Sequence, residues 1–180
     1  MLFRSEALAA YVRKQTGGLS IEQMKLPLGI VATDLSDGSP ILFQRGDVGS
    51  AVRASSAVPA VFQPVRMNGR EYVDGGLVAP VPVQQARQMG AEMVIAVDIS
   101  TPPDASATGD AIHMLLQTFS IMSRSLNQLE LKEADIVIRP VLAGVAGTDF
   151  TARMRAVQSG REAATHQLTS IRQKIAALTR

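Results

Sequence analysis

The chain has 180 residues, enough for one domain with a substantial core, and its composition, 46% hydrophobic and 19% charged, excludes a disordered polypeptide. Zero Cys removes disulfides, thiolate zinc sites and a Cys nucleophile, and two His nearly exclude a His-rich metal centre. A net charge of +2, with no Trp, two Tyr and five Phe, argues against nucleic acid as a partner.

Phe3 to Lys14 sets Phe3, Ala7, Leu8, Tyr11 and Val12 at helical spacing, and Gly17-Gly18 ends that helix. Leu28-Gly-Ile-Val-Ala-Thr-Asp34 is an apolar run without alternation, which predicts a strand covered on both faces, as in a parallel sheet. Ser36-Asp37-Gly38 reads as a turn and Ile41-Leu-Phe-Gln44 as a second short strand. Asp47 to Ala57 predicts a short helix, stopped by the Val58-Pro59 step.

Glu71-Tyr-Val-Asp74 predicts a strand running into Gly75-Gly76. Pro82 to Met89 predicts a compact helix capped at Gly90. Met93 to Asp98 reads as the clearest buried strand, and Thr101 to Gly109 as a mobile loop. A long helix then keeps Ile112, Leu115, Leu116, Phe119, Met122, Leu126 and Leu129 on one face. Ala134 to Arg139 predicts a strand closed by Pro140, and a last helix carries Met154, Val157, Ala164, Leu168, Ile171, Ile175 and Leu178 on one stripe. Strands alternating with helices predict an α/β fold with a mostly parallel sheet between helical layers.

The charge is uneven. From Thr151 to Arg180 six basic residues (Arg153, Arg155, Arg161, Arg172, Lys174 and Arg180) face one acid, Glu162. The stripe is expected to pack on the sheet with the arginines outward, either as a solvated face or as a contact for an anionic lipid surface. No apolar run reaches the ~18 residues of a transmembrane helix, and Met1-Leu-Phe-Arg-Ser-Glu6 meets charge at once, unlike a secretory signal. A cytoplasmic protein, peripheral to the membrane at most, is expected.

In α/β sheets, function gathers at the carboxyl ends of strands, where Asp34, Asp74 and Asp98 fall. Asp34 precedes a turn and reads as a loop hydrogen-bonding group. Asp98 ends a strand as a dinucleotide-binding acid does, but neither G-x-G-x-x-G nor G-x-x-x-x-G-K-[ST] occurs. Asp74 precedes two glycines that offer no Cβ to an approaching backbone. A carboxylate that must touch a partner side chain suits that arrangement, and so does a plain turn.

Ala51-Val-Arg-Ala-Ser-Ser-Ala-Val-Pro-Ala-Val-Phe-Gln-Pro64, followed by Asn68-Gly-Arg-Glu-Tyr-Val-Asp-Gly-Gly-Leu77, closely resembles the bacterial branch of the patatin-like phospholipase family. The likeness begins at Leu28 to Leu35 and Phe43 to Asp47, and continues through Pro80-x-Pro82-Val83, Gly90-Ala91, Ile95 to Ser100 and Ala134 to Pro140. It implies a three-layer α/β/α domain and a serine acyl hydrolase that uses a Ser–Asp dyad without His, metal or cofactor. The dyad Asp maps onto Asp74, and the rest of its motif onto Gly75 and Gly76. Such a Ser attacks an ester carbonyl once a base takes its proton and donors hold the oxyanion.

The resemblance places the nucleophile in a G-x-S-x-G elbow, beside a Gly-rich oxyanion loop. Neither occurs before Leu28, and both are expected upstream of residue 1. Gly144 to Gly147 lies in the wrong half, Ser55 and Ser56 read as structural, and His113 and His166 fall inside helices. Residues 1–180 are therefore expected to be the C-terminal portion of a single patatin-like domain whose N-terminal part is missing. That portion holds the base and is inactive alone, with an acyl lipid as the substrate of the parent domain. The alternative is a catalytically inactive interaction or assembly module, self-associating through an exposed sheet edge.

Overall fold

The computed structural model describes residues 5–100, 111–142 and 150–179. The expected loop at 101–109 and the Gly144 to Gly147 segment lie outside those residues. α1 (Glu6–Gln15) ends where Gly17 and Gly18 adopt φ of 64° and 76°, a left-handed stop that a Cβ would strain. β1 (Ile30–Asp34) and β2 (Pro40–Phe43) follow, then α2 (Val48–Ser55). The Asp47 carboxylate caps α2 by accepting from Ser50 N at 2.8 Å, and pairs with Arg13 of α1 at 2.6 Å. β3 (Val65–Met67), β4 (Arg70–Asp74) and α3 (Val83–Gln88) come next. β5 (Ile95–Val97), α4 (Ala111–Glu130), β6 (Ile136–Ile138) and α5 (Arg153–Leu178) complete the chain.

The fold is α/β, but the expected mostly parallel sheet gives way to two sheets of different kinds. β2-β1-β4-β3 is entirely antiparallel, and only β5 and β6 pair in parallel. Connection length accounts for the β1–β2 and β3–β4 pairs: a parallel pair needs a crossover of a dozen or more residues, whereas Leu35–Ser39 joins β1 to β2 and Asn68-Gly69 joins β3 to β4. Sequence reasoning missed β3, although Asn-Gly is a hairpin signal. Asn68 and Gly69 take φ of 52° and 79°, the double positive of a type I′ turn.

All five residues of β1 are buried, as its unbroken apolar run predicts. The cover comes from helices on both sides of an antiparallel strand. Ala32 packs with Ala54 and Ala57 at the α2 end, together with Val65 and Tyr72. On the other side, Thr33 and Val73 face Phe119 and Met122 of α4 across a gap of about 250 Å³. Phe43 meets Tyr72 edge-to-face, with ring centroids 5.3 Å apart. A second core of Val81, Val83, Val94, Ala96 and Leu131 sits beneath the parallel pair.

Three expected burials fail. β5 buries only Ala96, leaving Ile95 and Val97 exposed. The sole buried residue of α4 is Asn127, with Ile112, Leu115, Met122 and Leu129 open to solvent. α5 buries none of its residues: it rests on β6, while Met154, Val157, Leu168 and Ile175 face outward. Periodicity marked an apolar stripe on each helix, but the less exposed positions are largely others: Ser123 and Asn127 turn inward on α4, and Ala156, Ser159, Ala163 and Gln167 on α5, because small and polar side chains allow the closer approach.

Candidate active site

Asp74 closes β4 opposite Ala32 of β1, so the inner pair of strands fixes its backbone. Two further contacts hold it: Asp74 N donates to Ala57 O at 3.1 Å, and the Thr33 hydroxyl donates to Asp74 O at 2.8 Å. The chain then turns through Gly75–Leu77, with the Asp74 carboxylate accepting from Gly76 N at 2.7 Å. Its own side chain thus stabilises the turn that leads away from it.

The two glycines have different reasons. A Cβ on Gly75 would collide with the Val31 carbonyl and lie 2.8 Å from its carbon, so β1 leaves room only for hydrogen. A Cβ on Gly76 would meet nothing nearer than Asp74 Oδ1, at 3.0 Å. Gly75 therefore serves close packing against the sheet, and Gly76 keeps the space beside the carboxylate open. The expectation of open backbone after Asp74 applies to Gly76, whereas Gly75 is buried.

The carboxylate is half-buried and lines a cavity of about 470 Å³, walled by Val58, Pro59, Leu77, Leu116 and Phe119. Burial pushes its pKa above the ordinary value, only partly offset by the Gly76 N–H. No cation pairs with it among the described residues. An unpaired carboxylate with raised basicity in an apolar cleft has the properties of a proton acceptor.

Residues 2–87 match the family model of the patatin-like phospholipases. The chain belongs to that family. This patatin-like chain is 34% identical over 128 residues to an uncharacterised NTE family protein of Mycobacterium tuberculosis, covering 71% of the chain and 36% of the relative. A second such protein from that organism is 28% identical over 173 residues, covering 82% and 30%. The patatin-like phospholipase domain-containing protein 7 of Mus musculus is 31% identical over 96 residues, covering 51% and 7%. The chain thus spans well under half the length of each of these relatives.

The other two strand-end carboxylates of the patatin-like chain, Asp34 and Asp98, are occupied. Asp34 is fully buried and accepts from the Ser36 hydroxyl at 2.6 Å, from Ser36 N at 2.9 Å and from Arg70 at 2.6 Å. Those donors hold it at a pKa of about 2, and it locks the β1–β2 turn as its position predicts. Burial raises the pKa of Asp98, but Ser100 and Arg139, the latter at 3.2 Å, outweigh burial and lower it.

Ser55 ends α2 and Ser56 caps it, and neither lines the Asp74 cavity. His113 and His166 are exposed on α4 and α5, away from that lining. Sequence reasoning missed Ser120, Ser123 and Asn127, which α4 brings to the cavity wall. Their spacing, with Leu116 and Phe119, is three or four residues, so one helix face was legible. Its direction was not, because two of its members are hydroxyls. Ser120 donates to Leu116 O at 3.1 Å and Ser123 to Gly76 O at 3.0 Å, so both hydroxyls are committed to backbone.

Proposed function

We propose that the protein containing this chain is a serine-type acyl-ester hydrolase of phospholipids or lysophospholipids, with Asp74 as general base. The observation that carries this reading is the half-buried Asp74 carboxylate, unpaired with any cation and raised in pKa, at the wall of an apolar cleft. In the proposed mechanism a Ser hydroxyl from polypeptide outside these 180 residues docks beside Gly76 and gives its proton to Asp74. Its oxygen attacks the ester carbonyl, the alcohol leaves with a proton, and water then releases the acyl group from the Ser ester. Gly76 leaves the necessary space, and Gly75 sets the distance between Asp74 and the sheet. No step requires a metal or cofactor.

The arrangement supports a three-layer α/β/α domain, with α2 and α4 on opposite faces of β1 and β4, of which these residues form the C-terminal portion. The deciding experiment expresses the full-length protein and assays p-nitrophenyl acyl esters. Turnover falls at least a thousandfold in Asp74→Ala, and a fluorophosphonate probe labels the full-length protein but not residues 1–180 alone. Unchanged turnover by the variant, or labelling of the isolated chain, would refute the assignment.

One observation favours a second role. Ile95 and Val97 are exposed on β5, which pairs on one side only with β6 among the described residues. Such an edge invites another strand, and pairing between copies would make the chain an assembly module. Light scattering distinguishes them: association that rises with concentration supports edge pairing, and a persistent monomer rejects it. We further propose peripheral membrane contact through α5 for a cytoplasmic protein. No helix among the described residues is long and apolar enough to cross a membrane.

A further inference from the structure

Beside the Asp74 cavity lies a second one of about 550 Å³ with the opposite character. Arg124, Lys132 and Arg139 line it against a single carboxylate, Asp98. That carboxylate is already held by Arg139 at 3.2 Å and by the Ser100 hydroxyl at 2.7 Å. Arg124 and Lys132 have no carboxylate within ion-pairing distance among the described residues. The cavity therefore keeps two uncommitted cations.

The two cavities share Ser100 and Asn127. Asn127 is 4% exposed, and its carboxamide oxygen has no hydrogen-bond partner. An unsatisfied buried amide costs stability unless something else bonds to it. Both cavities also lie along α4. Leu116 and Phe119 face the apolar one, and Arg124, one or two turns further on, faces the polar one. At 1.5 Å per residue, Leu116 and Arg124 are about 12 Å apart along the axis. An elongated ligand on this face meets apolar wall, then the Asp74 carboxylate and the orphaned amide, then cations.

We propose that the Arg124–Lys132 cavity is the head-group half of an amphiphile site, binding a phosphate-type anion whose acyl chain lies in the Asp74 cavity. The site rests on the hydrolase reading for its catalytic meaning and narrows the substrate class to anionic amphiphiles over zwitterionic or neutral ones. Guanidinium and ammonium donors lining one cavity suit phosphate oxygens. Asn127 accepts a hydroxyl from the linker between chain and head group, which satisfies its buried oxygen.

The test titrates the full-length protein with non-hydrolysable dodecyl phosphate, dodecyl phosphocholine, dodecanol and inorganic phosphate, each below its aggregation limit, by calorimetry. Dodecyl phosphate binds about tenfold or more tightly than dodecyl phosphocholine or dodecanol. Arg124→Gln with Lys132→Gln removes that preference without shifting the unfolding midpoint, since both side chains are exposed. Equal binding of all three amphiphiles, or a preference surviving the double variant, overturns the proposal. Inorganic phosphate binding as tightly as dodecyl phosphate also overturns it, by showing an anion site without a chain. Failure of the hydrolase reading looks different: the probe still binds, while the full-length protein turns over no ester. Conversely, full-length turnover with no anion preference leaves Asp74 in place and removes the head-group site.

Discussion

The Ser123 hydroxyl donates to the Gly76 carbonyl at 3.0 Å, and so fastens α4 to the turn that carries Asp74. That contact spans elements far apart in sequence and is a direct polar link between α4 and the functional end of the antiparallel sheet. Ser123→Ala removes it and leaves the Gly76 oxygen to solvent. The expected cost is about 1 kcal/mol in urea unfolding, with faster amide exchange along α4. An unchanged exchange pattern would mean that α4 is held elsewhere.

Gly75 and Gly76 separate stability from chemistry. Gly75→Ala drives a methyl into the Val31 backbone, which cannot give as a flexible side chain does. It is expected to destabilise the chain by about 2 kcal/mol or more. Gly76→Ala costs well under that, because only the Asp74 carboxylate crowds the new methyl. It nevertheless abolishes turnover in the full-length protein by filling the space beside the proposed base. Equal denaturation midpoints for the two variants would contradict the assignment of roles.

Asp34 and Asp74 give opposite pH dependences. Asp34 is held at about 2, below its ordinary 3.8, so the stability it adds is complete above 3.8 and disappears as pH falls through 2. Asp34→Asn flattens that acid limb. Asp74 is raised, so its contribution is complete below 3.8 and is lost as pH rises through its folded-state value. Asp74→Asn therefore stabilises the chain at neutral pH and matches the parent near pH 3. Denaturant midpoints across this range test both signs, and a destabilised Asp74→Asn at pH 7 would mean that the carboxylate is structural.

On α5, Met154, Val157, Leu168 and Ile175 share their three- and four-residue steps with Arg161 and Arg172. An exposed apolar row interrupted by arginines suits an anionic bilayer surface, where the apolar groups insert and guanidinium groups reach the head groups. Co-sedimentation with phosphatidylserine-containing vesicles is expected, weakening about tenfold in Arg161→Glu with Arg172→Glu and in high salt. Binding to purely zwitterionic vesicles that ignores both changes would exclude an electrostatic contact.

Local rules settled much of this protein from the sequence. Gly17-Gly18 ended α1, Asp47 capped α2, Pro59 followed its stop, and Asp74 fell at a strand end before two glycines, because capping, φ restriction and strand limits act over a few residues. What the tertiary structure decided was direction and cover. The apolar run of β1 reads alike in a parallel or an antiparallel sheet, since burial on both faces is all that the run encodes. Likewise the stripes of α4 and α5 specify a face but not its neighbour. Pairing and contact depend on chain segments brought together over long separations, and only their packing set Asn127, Arg124 and Lys132 beside the Asp74 cleft.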